Sequence, residues 1–251
     1  MHLILTGATG LVGSGVLDAM IKMKDITKIS ILSRRPVQMA EDVKDPRINV
    51  IIHKDFAAYD SAVLEQLRGA HGCVWALGIS QTQVNKEDYV KITKDYALAA
   101  SDAFQGLAGD NKPFNFVYVS GRGATQEPGR FTPIFGRVKG ETEVALAALR
   151  KKNPLFQASS VRPAAVDAGA HEAIKKYIPT PPLAYRLVSP ILLTPMRVGL
   201  PSIHSPTLEL GRFLTEMAMG KHSITSPTHD IAMIGEFPIL DNSAFRRFMS
   251  M

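Results

Sequence analysis

The stretch that most limits what this chain can become is "TGATGLVGSGV", residues 6–16. Gly7, Gly10 and Gly13 recur at every third position, directly after the apolar run "HLILT" at 2–6 and directly before apolar positions of helical spacing at 11–23. A strand, a glycine turn and a helix in succession is the context this spacing requires. The turn needs positive φ and no Cβ, so that backbone can approach a pyrophosphate. The helix then presents unpaired N–H groups and the positive end of its dipole to an anion. A ligand-free strand–helix turn is the plainer alternative. The full context points to a bound dinucleotide, with Thr6, Gly7, Thr9 and Gly10 on the turn and Leu11, Val12 and Gly13 on the helix around its phosphates.

The same alternation continues. Short apolar runs at 28–33, 47–52, 71–78, 114–120 and 156–163 read as strands, and the segments 60–68, 87–108 and 133–152 read as helices. Strands that are apolar throughout are buried on both faces, as in a parallel sheet. The predicted architecture is α/β: a Rossmann-type doubly wound parallel sheet with right-handed crossovers and a small C-terminal cap. After Pro163 the chain becomes proline-rich, with helix expected at 171–177, 183–193 and 205–220. No low-complexity linker divides it. We therefore expect one domain over 1–251, with a nucleotide-binding core at 1–163 and a substrate cap with C-terminal elements at 164–251.

The second strand ends "LSRRP", where an NAD site carries Asp or Glu for the ribose hydroxyls. Ser33, Arg34 and Arg35 stand there instead. A guanidinium pairs with a 2′-phosphate through charge-assisted hydrogen bonds, so NADP(H) is the expected cofactor; a solvated arginine pair is the alternative. In "HKDF", Asp55 beside Phe56 either meets the adenine edge or is a plain turn residue. "ALGIS" supplies Ala76, Leu77 and Gly78 as cofactor-binding positions at the end of a strand, where its small residues would let backbone pass beside the cofactor.

These segments, together with "DYALAA", "VYVSGRGA", "FGRVKGETE" and "VRPAAV", make the chain resemble the short-chain dehydrogenase/reductase superfamily in its atypical branch. It is most similar there to the Tat-interacting-protein-type oxidoreductase-like proteins and their fungal relatives. The resemblance runs along nearly the whole length and is more specific for the superfamily than for a reaction. It implies that Ser120 orients a substrate carbonyl and that Lys139 bonds the nicotinamide ribose. It also implies that the segment of Arg162 and Pro163 borders the nicotinamide amide. The family's proton-donating tyrosine falls four residues before Lys139, where this chain has Phe135. Residues four apart share a helix face, so Phe135 keeps the ring and lacks the acid.

Three readings stay open. The chain is an NADP(H)-dependent reductase of a small, mainly apolar carbonyl or enone, with Lys139, Ser120, Thr125, Tyr89 or water as the substitute acid. Alternatively, it is an NADP(H)-binding sensor or regulator, or an inactive scaffold. Substrate choice is expected from a cap lined by 164–166, 177–193 and 196–204, with Arg197 or His204 as polar anchors.

The net charge of +6 and pI of about 9.4 do not imply nucleic acid, because the basic pairs are scattered and interrupted by acids. No apolar run reaches membrane-spanning length. The histidines show no metal-ligand spacing, and no metal is expected. A lone Cys73 in "GCVWALG" is expected in the core of a cytoplasmic protein. The expected partner is a small-molecule substrate, and the chain is expected to be a monomer or homodimer.

Overall fold

In the computed structural model, which describes residues 1–180 and 199–251, the apolar runs become one sheet. β1 (His2–Thr6), β2 (Lys28–Ser33), β3 (Ile48–Ile52), β4 (Gly72–Trp75), β5 (Phe114–Val119) and β6 (Phe156–Arg162) pair in parallel, in the order β3-β2-β1-β4-β5-β6. This is the Rossmann-type doubly wound order, and its direction reverses between β1 and β4. Along β1, Leu3 and Leu5 enter one core and Ile4 the other. Both faces are covered, so neither tolerates a polar stripe.

The helices divide between those cores. α1 (Leu11–Lys22) and α2 (Gln38–Val43) lie on one face. The other face carries α3 (Ser61–Leu67), α5 (Tyr96–Phe104) and α6 (Ile134–Lys152), and the short α4 (Lys86–Val90) leads into α5. The long helix expected at 87–108 is interrupted by a π-helical turn, Lys91–Asp95, and stops at Phe104. Such widened turns recur at functional sites. Cys73 is fully buried, as expected, and burial pushes its thiol well above the usual range.

Beyond β6, β7 (Ala165–Asp167) and β8 (His204–Pro206) form a separate two-stranded parallel sheet. The helix expected at 205–220 is α7 (Thr207–Ala218), and it ends at Gly220 with φ +72. It packs against α1 so closely that a Cβ on Gly211 would lie 2.2 Å from the Gly15 carbonyl oxygen. The helix expected at 171–177 is one short 3-10 turn, Glu172–Ile174. The helix expected at 183–193 and Arg197 fall outside the described residues.

β9 (Ile231–Ile234), β10 (Phe237–Asp241) and α8 (Asn242–Phe248) were not foreseen. β10 pairs parallel to β6, and β9 pairs antiparallel to β10. The sheet therefore takes two of its eight strands from beyond residue 163. No helix among the described residues is long and apolar enough to cross a membrane.

Candidate functional site

The glycine turn stands at the end of β1, beside the point where strand order reverses. Gly7 has φ +71, and a Cβ there would come within 2.3 Å of the Ala76 carbonyl oxygen; on Gly13 it would lie 2.0 Å from the Gly7 carbonyl oxygen. Both positions require glycine for the turn to close. The Gly10 amide donates to the Gly7 carbonyl at 2.9 Å, and Gly10 caps α1 with no side-chain acceptor on the first-turn amides. Those amides suit an anionic oxygen. The Thr6 hydroxyl accepts from the Leu77 amide at 3.2 Å, joining the ends of β1 and β4.

Two cavities flank this turn. The first, of about 460 Å³, brings Gly7, Thr9, Ser33, Arg34, Arg35 and Phe56 together. The Ser33 hydroxyl donates to the Arg35 carbonyl at 2.7 Å and shapes the bend. Both arginines are exposed, and neither forms an ion pair among the described residues. Phe56 is its buried floor, packed edge-on to Trp75 at 6.0 Å. Asp55 is exposed, accepts from the Ala57 amide at 3.0 Å and does not line the cavity.

The second cavity, of about 680 Å³, runs from Gly10, Leu11 and Val12 past Ala76, Leu77 and Gly78. Ser120, Lys139 and Pro163 stand at its far end, with Ala164, Val166 and Ile178 completing the apolar wall. Tyr177 is directed elsewhere, donating to Asp42 at 2.9 Å. Among the described residues, His204 pairs with Asp167 at 2.9 Å and does not line the cavity.

Lys139 extends from α6 to the end of β5. Its Nζ donates to the Ser120 carbonyl at 2.7 Å and to the Val119 carbonyl at 3.1 Å, with the Tyr118 ring centroid 5.7 Å away. Burial lowers its pKa to about 8, and the Glu143 charge, one turn further along α6, partly opposes that shift. The Ser120 hydroxyl is buried and has no hydrogen-bond partner among the described residues. Thr93, on the π-helical turn that lines this cavity, has its side chain directed to the buried Tyr89 hydroxyl. One uncommitted hydroxyl, that of Ser120, therefore borders the space next to an ammonium of lowered pKa. Unpartnered buried hydroxyls are costly and mark a place for a missing ligand or water.

Phe135 occupies the expected helical position, yet its ring is turned onto the 121–124 turn. Its Cζ lies 3.2 Å from where a Cβ on Gly123 would stand, and it does not line the cavity. Tyr89 is buried outside the lining, and the Thr125 hydroxyl accepts from the Glu127 amide at 3.1 Å. Of the substitute acids considered, Lys139 and Ser120 are the ones brought to the cavity. The Arg162 side chain turns away from it to Glu143, at 3.0 and 2.6 Å. Glu143 is fully buried and also receives hydrogen bonds from Ser160 at 2.9 Å and Gln126 at 2.6 Å. Sequence reasoning passed over Glu143. Its i+4 spacing from Lys139 was the available signal.

No family model matches the chain. The leucinostatins biosynthesis cluster protein T of Purpureocillium lilacinum is 35% identical over 257 residues, covering 95% of this chain and 90% of that protein. The botcinic acid biosynthesis cluster B protein 16 of Botryotinia fuckeliana is 43% identical over 156 residues, 62% of this chain and 99% of that protein. Among solved structures, the PhqB reductase domain from Penicillium fellutanum superposes with a TM-score of 0.64 at 15% identity, over 87% of this chain and 64% of that one. This chain thus spans just under two thirds of that domain. The Bordetella bronchiseptica enzyme WbmF in complex with NAD+ superposes with a TM-score of 0.62 at 13% identity, over 86% and 69%. At such identities the likeness concerns the fold.

Proposed function

This chain belongs to the same family as leucinostatins biosynthesis cluster protein T, and from that premise we propose that it is an NADP(H)-dependent oxidoreductase of the short-chain dehydrogenase/reductase type. In this reading it reduces a small, mainly apolar carbonyl or enone, with Lys139 as proton donor. The observation that carries the reading is the placement of the Lys139 ammonium, with its pKa lowered to about 8, in the cavity that begins at the glycine turn.

The residues present fit a dinucleotide. Gly10 and the open amides of α1 suit the pyrophosphate, and Arg34 and Arg35 suit a 2′-phosphate. When bound, such a cofactor supplies a hydride and leaves oxidised. The chain's own residues do the rest. Ser120 is placed to orient the substrate oxygen. Lys139 holds a proton at Nζ with two of its donors committed to carbonyls, leaving one for the substrate. For a carbonyl, that proton goes to oxygen as the carbon accepts hydride; for an enone, it goes to the α-carbon after hydride adds at the β-carbon. A pKa near the working pH suits a general acid, because the group is both protonated and able to release. Ala164, Val166 and Ile178 form the apolar wall that a cap over the substrate would extend.

Phe135 favours the second reading, an NADP(H)-binding sensor, because the position that carries the family acid has no proton. Calorimetry with NADPH and NADH, followed by NADPH oxidation at 340 nm against aldehydes, quinones and enones, separates the two. Turnover of an acceptor, with NADPH preference lost in Arg34→Ala, is the expected result. Tight binding with no turnover until Phe135→Tyr restores it would establish the sensor, and absence of dinucleotide binding would sink both.

A further inference from the structure

A cavity of about 550 Å³ opens at the end of the sheet opposite the glycine turn. Its rim includes Met1, His71 and Pro113, which precede β1, β4 and β5. The nicotinamide end of the other site follows those strands. At about 3.3 Å per residue, strands of this length separate the two by roughly 13–20 Å. The floor is apolar: Met217, Met219, Ile224 and Pro238.

The polar wall is one-sided. Lys112, Arg150, His71 and His222 line it, and no aspartate or glutamate does. The Arg150 guanidinium is fixed in place, with Nη1 donating to the Ala158 carbonyl at 2.7 Å and Nη2 to Gln157 Oε1 at 2.6 Å. Its Nε and the Nδ1 of His71 are buried without a partner. Burial pulls the Arg150 pKa below the ordinary arginine value, and the charge of Glu236 opposes this only in part. The other neighbouring acid is committed: Glu216 accepts from Arg212 at 2.9 Å and pairs with His222 at 3.0 Å. The last carbonyls of α7 are committed too, since those of Thr215, Glu216 and Met217 accept from the amides of Met219, Lys221 and Gly220. A half-buried cation with an unpartnered Nε and no acid in the lining gives this cavity a positive wall.

We infer that this cavity is a second ligand site, separate from the dinucleotide groove, which takes a small organic carboxylate carried on a compact apolar body. The carboxylate faces Arg150 and Lys112, where charge-assisted hydrogen bonds are strongest. The body lies on Met217, Met219 and Ile224, where flexible thioethers accommodate varied shapes. The volume is in the range of small-molecule pockets. The inference does not depend on the oxidoreductase reading.

The test uses the full chain with methionine methyls labelled for NMR, titrated with 4-phenylbutyrate and with its neutral amide. Saturable movement of the Met217 and Met219 methyls by the carboxylate, with the amide about tenfold weaker or more, is expected from the loss of one charged contact. Lys112→Gln, at an exposed position, is expected to weaken the carboxylate roughly three- to tenfold. Arg150→Gln is expected to weaken it more, and Lys112→Gln should leave NADPH affinity unchanged. The inference is overturned if those methyls show no saturable shift up to about 10 mM. Equal binding of the amide, or no effect of either substitution in folded protein, would overturn it as well.

Discussion

Lys139 shows how one side chain couples chemistry to stability. Its pKa falls from the free-lysine value to about 8 because burial disfavours the charge. Between about pH 8 and the unfolded value of roughly 10.4, the unfolded chain binds more protons at this residue than the folded one. Its penalty on folding is therefore fully present below pH 8 and fades as pH rises through that window. Lys139→Met should melt higher than the parent at pH 7 by thermal denaturation, while losing about 10² to 10⁴ in turnover. A parent whose kcat/KM does not fall above about pH 8 would argue against Lys139 as the acid, because a general acid must be protonated.

At the scale of elements, α6 is tied to β6 by the fully buried Glu143 carboxylate, which holds Arg162, Ser160 and Gln126. Removing one partner of a buried ion pair leaves the other charge uncompensated, at a cost of about 3–5 kcal/mol. Glu143→Gln should lose stability on that order in urea unfolding. Because the Glu143 charge raises the Lys139 pKa, the alkaline limb of the rate profile should also move to lower pH in that variant. The contact of α1 with α7 makes a separate prediction. A methyl on Gly211 would meet the Gly15 carbonyl oxygen at 2.2 Å, a backbone atom that cannot rotate away. Gly211→Ala should therefore cost about 1–3 kcal/mol through overpacking, read as a lower urea midpoint with an unchanged slope.

Over the whole molecule, the C-terminal residues complete both cores. Phe237 and Ile239 enter one, and Leu240 and Phe245 the other. Each such side chain contributes about 1.5–3 kcal/mol on burial, so losing all four is comparable with the entire stability of an ordinary domain. A chain ending at residue 226 should yield little soluble, cooperatively melting protein; a sharp melting transition in it would refute this. That role was hidden in the sequence. "IAMI" and "FPILD" are short, and Pro238 argues against a strand, so only the open edge of β6 makes them strands. The first six strands were legible because burial on both faces leaves continuous apolar runs, and the glycine turn was legible because its spacing is contiguous. The sequence by itself determined the Rossmann-type parallel sheet, the glycine turn after its first strand and the absent hydroxyl at Phe135. Only the tertiary structure decided that the Phe135 ring leaves the cavity, that Arg162 serves Glu143, and that His204 is paired with Asp167. It also decided that burial lowers the Lys139 pKa to about 8. Periodicity and turn chemistry reside in neighbouring residues, whereas a pKa depends on how much water is excluded by residues far away along the chain.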